Sequence, residues 1–176
     1  MKENRVVGLK NDKIYISLIL MFCAFVYLFY RPEKIILTQI VIKIISYDYY
    51  QILRAFITGH LELNPIVVYS LPGGLWVFCI TYLSRKYILK VGRIKFQIYY
   101  FPIVFTLIVE LVQFFNLTKG NFDIYDVLLA IVFWSLAVLG SKRGEKSQIK
   151  VFSLYNKEGA VIFIVFAIVI LANVIV

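Results

Sequence analysis

Five apolar runs separated by clusters of basic residues constrain this chain more than any other feature. They are Ile14–Tyr30, Ile66–Leu83, Phe96–Phe115, Ile124–Gly140 and Ala160–Val176. Each comes near the ~20 apolar residues that a helix needs to traverse ~30 Å of hydrocarbon. Apolar residues make up 61% of the chain and charged residues only 16%. Water-soluble domains average roughly 45–50% and about 25%, and a core of this size cannot hide the surplus. The pattern predicts an all-α, polytopic membrane helix bundle of about five transmembrane helices, forming a single domain over 1–176. Its expected location is the cytoplasmic (inner) membrane, as a multi-pass protein in contact with membrane lipids.

The basic residues set an expected orientation. With the N-terminus cytoplasmic, 14 of the 19 Lys and Arg fall in cytoplasmic segments: Lys2, Arg5, Lys10, Lys13; Arg85, Lys86, Lys90, Arg93, Lys95; and Lys142, Arg143, Lys146, Lys150, Lys157. That excess follows the positive-inside tendency. The first run lacks a small-x-small cleavage site and reads as an uncleaved span. Residues 31–64 hold an apolar stretch near Ile35–Ile45 that is too short to cross, followed by Asp48, Arg54, His60 and Glu62. Mixed aromatics and charge predict an interfacial or re-entrant helical segment there. A sixth span over it would bury Lys43 and Asp48 and upset the basic asymmetry.

The net charge of +9 points away from nucleic acid, because the basic residues sit between apolar runs and not along one face. Cys23 and Cys79 each lie inside an apolar run, without a CxxC or Cys/His neighbourhood, and read as small packing residues. His60 is the single histidine. No phosphate loop, nucleophile elbow or metalloprotease helix is present, so no catalytic residue, metal or cofactor is assigned and the reading leans away from an enzyme.

Polar residues inside the apolar runs carry the functional expectation. Glu110 and Gln113 are three apart, hence on one helix face. Asp123 and Asp126 are likewise three apart, at the start of the next run, where a helix N-terminus favours carboxylates. The short connection between the runs predicts antiparallel neighbours whose acidic faces meet, with Arg54 a further candidate for the same pocket. Upstream, Pro72, Gly73 and Gly74 predict a kink or partly unwound turn near the start of the second run.

Glu110-Leu-Val-Gln113, followed by Asp123-Ile-Tyr-Asp126 and preceded by Pro72-Gly73-Gly74-Leu75, resembles the VanZ-like membrane protein family, as a distant branch. The likeness covers about Asn64–Gly140. Ala130 and Phe133 stand where that family usually has Asn and Gly. The resemblance implies an effect at the cell envelope, including susceptibility to glycopeptide antibiotics. Together these readings predict an outward-facing polar pocket of Glu110, Gln113, Asp123 and Asp126 that binds an envelope lipid or amphiphile. The alternatives are a structural subunit with protein partners in the membrane, or an intramembrane lipid-modifying enzyme.

Overall fold

The computed structural model describes residues 3–91, 93–118, 120–140, 150–151, 159–160, 163–164 and 166. Helix α1 (Glu3–Tyr30) ends at Arg31-Pro32, where the proline disfavours helical backbone in the residue before it. Helices α2 (Ile36–Ile45) and α3 (Tyr47–His60) follow, joined at Ser46, whose φ of 73° is a strained value for a non-glycine residue. The segment 31–64 is thus a helical hairpin folded back onto α1.

The C-terminal carbonyls of α1 have no partners within the helix, and α1 has no basic residue in its last turn. Helix α3 supplies the donors instead. Tyr50 Oη donates to Leu28 O at 2.7 Å and Arg54 Nε to Phe29 O at 3.0 Å. Arg54 Nη2 reaches Arg31 O at 3.1 Å and Nη1 pairs with Glu33 Oε1 at 2.7 Å. Tyr50 is fully buried in this contact. This clasp fixes the chain leaving α1, and therefore Arg31.

Asn64 caps the next helix, its side chain accepting from Ile66 N at 2.9 Å, with Pro65 preorganised in the first turn. The second apolar run does not form one continuous helix. Helix α4 (Pro65–Tyr69) stops at Ser70, and α5 (Leu71–Ser84) restarts with Pro72 in its first turn. Helix α5 is the most enclosed element, burying Pro72, Gly74, Trp76, Val77, Cys79, Ile80, Thr81 and Ser84. One core cluster joins Cys23, Tyr27, Ile35, Trp76 and Ile80. Both cysteines are buried and free, and burial pushes each thiol up to about 12, so neither is a reactive thiolate.

The segment read as a basic connection is β-structure. Strand β1 (Tyr87–Val91) pairs antiparallel with β2 (Ile94–Gln97), and β3 (Lys150–Val151) runs parallel to β1, giving the order β2-β1-β3. The third apolar run accordingly opens as a strand end and a 3-10 turn at Ile98–Tyr100 before α6 (Phe101–Phe114), which has Pro102 in its first turn. Helix α6 closes at Asn116, whose φ of 55° is left-handed; Leu117 N reaches back to Val112 O at 3.0 Å. Helix α7 (Ile124–Leu139) returns along it, and Val77, Ile103 and Ala130 form a second core cluster under Trp134.

These lengths correct the predicted architecture. Among the described residues no helix is long and apolar enough to cross a membrane. Helices α5 and α6 have 14 residues each and α7 has 16, which rise about 21–24 Å against the ~30 Å of a hydrocarbon core. The apolar part of α1, from Ile14, rises about 25 Å before Pro32. The polytopic five-span bundle, its cytoplasmic N-terminus and its inner-membrane placement are therefore not supported, nor is a purely α fold. The fifth run, 160–176, and the basic segment 142–146 lie almost wholly outside the described residues, as does Lys119. Helices α6 and α7 nonetheless keep apolar outer faces, with Val104, Ile108, Leu111, Leu128, Val132 and Leu136 all exposed.

Candidate functional site

Four segments converge at one end of the fold: the residues just after α1, the α4–α5 junction, the last turns of α6 and the first turn of α7. Glu110, on the inner side of α6, is only 5% exposed. Its Oε2 accepts from Asp123 N at 3.3 Å. This contact places the carboxylate of α6 against the N-terminus of α7, where unpaired N–H groups favour negative charge.

Asp123 is the N-cap of α7. Its Oδ1 accepts from Tyr125 N at 2.8 Å, so this carboxylate is engaged in ending the helix. Asp126, one turn on, faces inward. The Ser70 hydroxyl donates to its carboxylate, and Ser70 itself is buried. Asp126 Oδ1 is nevertheless buried with no hydrogen-bond partner.

Arg31 supplies the positive charge facing this group. Its guanidinium lies between the rings of Tyr27 and Tyr69, 5.1 Å from each centroid, and its Nη2 donates to Tyr69 O at 2.6 Å. Its Nε is buried without a partner. Arg31 is near enough to Asp126 to act on its ionisation.

The ionisation of the two inward carboxylates follows from this setting. Burial raises the Glu110 pKa; the Asp123 N–H opposes the rise, and the charges of Asp126 and Asp123 add to it. Burial likewise raises the Asp126 pKa, with the Ser70 hydrogen bond and Arg31 opposing and Asp123 adding. Both inward carboxyls are thus held above their ordinary values, chiefly by burial.

The remaining predicted residues lie elsewhere or do other work. Gln113 packs against Gly120 in the α6–α7 connection, where a β-carbon would overlap its side-chain amide. It makes no hydrogen bond to Glu110 among the described contacts. Arg54 does not reach the carboxylates; it holds Glu33 and the carbonyls after α1. Pro72 and Gly74 sit in the first turn of α5, and Gly74 lets α7 approach, while Gly73 faces open space. Arg31, Ser70 and Tyr69 were not singled out in the sequence. Arg31 carries one usable signal: Tyr27 lies four residues before it, a spacing that stacks side chains on one helix face.

The site contains two buried carboxyls, a guanidinium and a hydroxyl. His60 is remote, its ring against Phe56. Among the described residues no group of three His, Cys, Asp or Glu is placed to hold a metal ion. The arrangement presents both hydrogen-bond donors and acceptors. In comparisons with known protein families, curated proteins and solved structures, the chain matches none.

Proposed function

We propose that this protein binds an amphiphile, holding its zwitterionic head between Arg31 and the Asp126–Glu110 pair. The observation that carries this reading is that two of the buried atoms without a partner, Asp126 Oδ1 and Arg31 Nε, lie in one site and bear opposite charge, unlike Thr38 Oγ1, Trp76 Nε1, Thr81 Oγ1 and Arg85 Nη1. One is an acceptor and the other a donor, in one neighbourhood and of opposite charge. A buried polar atom without a partner destabilises by about 1–3 kcal/mol, more when charged. A head group with a cationic donor and an anionic acceptor satisfies both atoms at once. The exposed apolar sides of α6 and α7, which include Ile108, Leu111 and Leu128, offer contact for its tail; contiguous exposed apolar surface of this kind marks interaction sites. The reading is one of binding, without turnover. The likeness of Glu110-x-x-Gln113 and Asp123-x-x-Asp126 to the VanZ-like pattern extends the proposal to a cell-envelope amphiphile and to glycopeptide susceptibility.

The test is calorimetric titration with dodecylphosphoethanolamine, whose primary ammonium can donate, below its micellar concentration, against dodecyl maltoside, which has no charged head. The wild-type chain is expected to prefer the zwitterion. Asp126→Asn and Arg31→Met are each expected to weaken its binding about tenfold or more, the effect of losing one charge-assisted hydrogen bond. Equal affinity of both variants and wild type would remove the proposal.

A further inference from the structure

The β1–β2 ribbon has two faces of opposite character. Strand register places Lys90 directly opposite Lys95, and Leu89 directly opposite Phe96. Side chains alternate along a strand, so the two lysines share one face and Leu89 and Phe96 share the other. Lys90, Lys95 and Arg93 at the turn are exposed, as are Leu89 at 43% and Phe96 at 55%. Between Glu62 and Glu110 the chain has no Asp or Glu, while it has five basic residues at 85–95. Among the described residues no ion pair is made by Lys90, Arg93 or Lys95. Like charges directly opposite on a ribbon repel, an arrangement that an external anion relieves.

We infer that this ribbon dips turn-first into the surface of anionic phospholipid, Leu89 and Phe96 on one face entering the acyl boundary while Arg93 at the turn and the stems of Lys90 and Lys95 on the other face reach the phosphates. Charge complementarity and the exposed apolar pair together select this occupant. A surface that presents phosphate and hydrocarbon a few ångströms apart matches a ribbon that carries both characters, since lysine stems extend along apolar surface while their ammonium groups stay with the anions. A nucleic acid matches the charge but leaves Leu89 and Phe96 in water. The ribbon adjoins the N-terminal end of α6, away from Glu110 near its other end, and the inference does not rest on the amphiphile site.

Cosedimentation of the full chain with phosphatidylglycerol–phosphatidylcholine vesicles tests it. Partition is expected to exceed that onto phosphatidylcholine alone and to fall as salt rises. Lys90→Glu is the informative variant, because it converts a repulsive cross-strand pair into an attractive one and so keeps or raises stability. Its partition onto the anionic vesicles is expected to drop about tenfold, a change of two charges at roughly fivefold or less each. Phe96→Ser is expected to reduce partition at high salt, where the electrostatic part is screened. Undiminished partition of Lys90→Glu, or equal partition onto neutral vesicles, would overturn the inference; so would binding of a single-stranded oligonucleotide without any partition onto the anionic vesicles, in favour of a nucleic-acid surface.

Discussion

Gly74→Val is expected to destabilise the fold by about 2–3 kcal/mol and to lower the melting temperature by roughly 4–12 °C. A β-carbon at this position would lie 2.6 Å from Phe133 Cδ2, 3.1 Å from Leu129 Cβ and 3.2 Å from Leu129 O. The Phe133 ring can swing aside, at the expense of its edge contact with Phe78, whose centroid is 6.5 Å away. Leu129 Cβ and its carbonyl belong to the helix itself, so α7 as a whole must retreat. The strain exceeds the ~0.5 kcal/mol that a helix gains on losing a glycine. Gly73→Val is the control: a β-carbon there meets nothing within 4 Å, and its melting temperature should stay near that of wild type. Thermal unfolding followed by circular dichroism separates the two, and equal effects would place the α5–α7 contact elsewhere. Because α7 carries Asp126 and α5 begins beside Ser70, Gly74→Val is also expected to weaken dodecylphosphoethanolamine binding.

Arg54→Ala is expected to remove about 2–3 kcal/mol of stability, again read by thermal unfolding. Most of that comes from the carbonyls of Phe29 and Arg31, which lose a charged donor. The ion pair to Glu33 contributes less, because the two side chains remain 24% and 31% exposed, and such pairs are worth up to about 1 kcal/mol. Arg54→Lys keeps the charge but cannot reproduce a planar fork reaching three acceptors, so it should recover less than half of the loss. Full recovery by lysine would mean that charge alone matters. A further consequence separates this clasp from a generic surface interaction. Arg54 grips the carbonyl of Arg31, whose guanidinium stands in the candidate site, so Arg54→Ala should also lower amphiphile affinity although it touches no ligand.

The local signals in the sequence translate well into structure where a single residue dictates backbone geometry. Asn64-Pro65 begins a helix, Pro72 marks the break in the second apolar run, and Asp123 caps α7. The adjacency of Glu110 and the Asp123–Asp126 turn follows from a short connection between antiparallel helices. Apolar runs proved poorer guides to element length. The run at 66–83 is interrupted at Ser70, and the run at 96–115 begins in a strand, since unbroken hydrophobicity fits a buried strand as well as a helix. Composition sums apolar residues along the chain, whereas a helical crossing needs them in one continuous helix; that difference is why the multi-span helical expectation failed. The ribbon at 87–97 was hidden behind its lysines. Arg31 and Ser70 join the site only through tertiary contacts, and the destination of Arg54 depends on how 31–64 folds back over α1. No periodicity records either fact.

The central claim is that Asp126 Oδ1 and Arg31 Nε are left without protein partners because a ligand head supplies them. An experimental structure with dodecylphosphoethanolamine bound tests it most directly. The account predicts the head group lodged between α1, the α4–α5 junction and α7, with its phosphate within hydrogen-bond distance of Arg31 and its cationic end against Asp126 and Glu110. A head group bound elsewhere, with Asp126 turned to pair directly with Arg31, would contradict it.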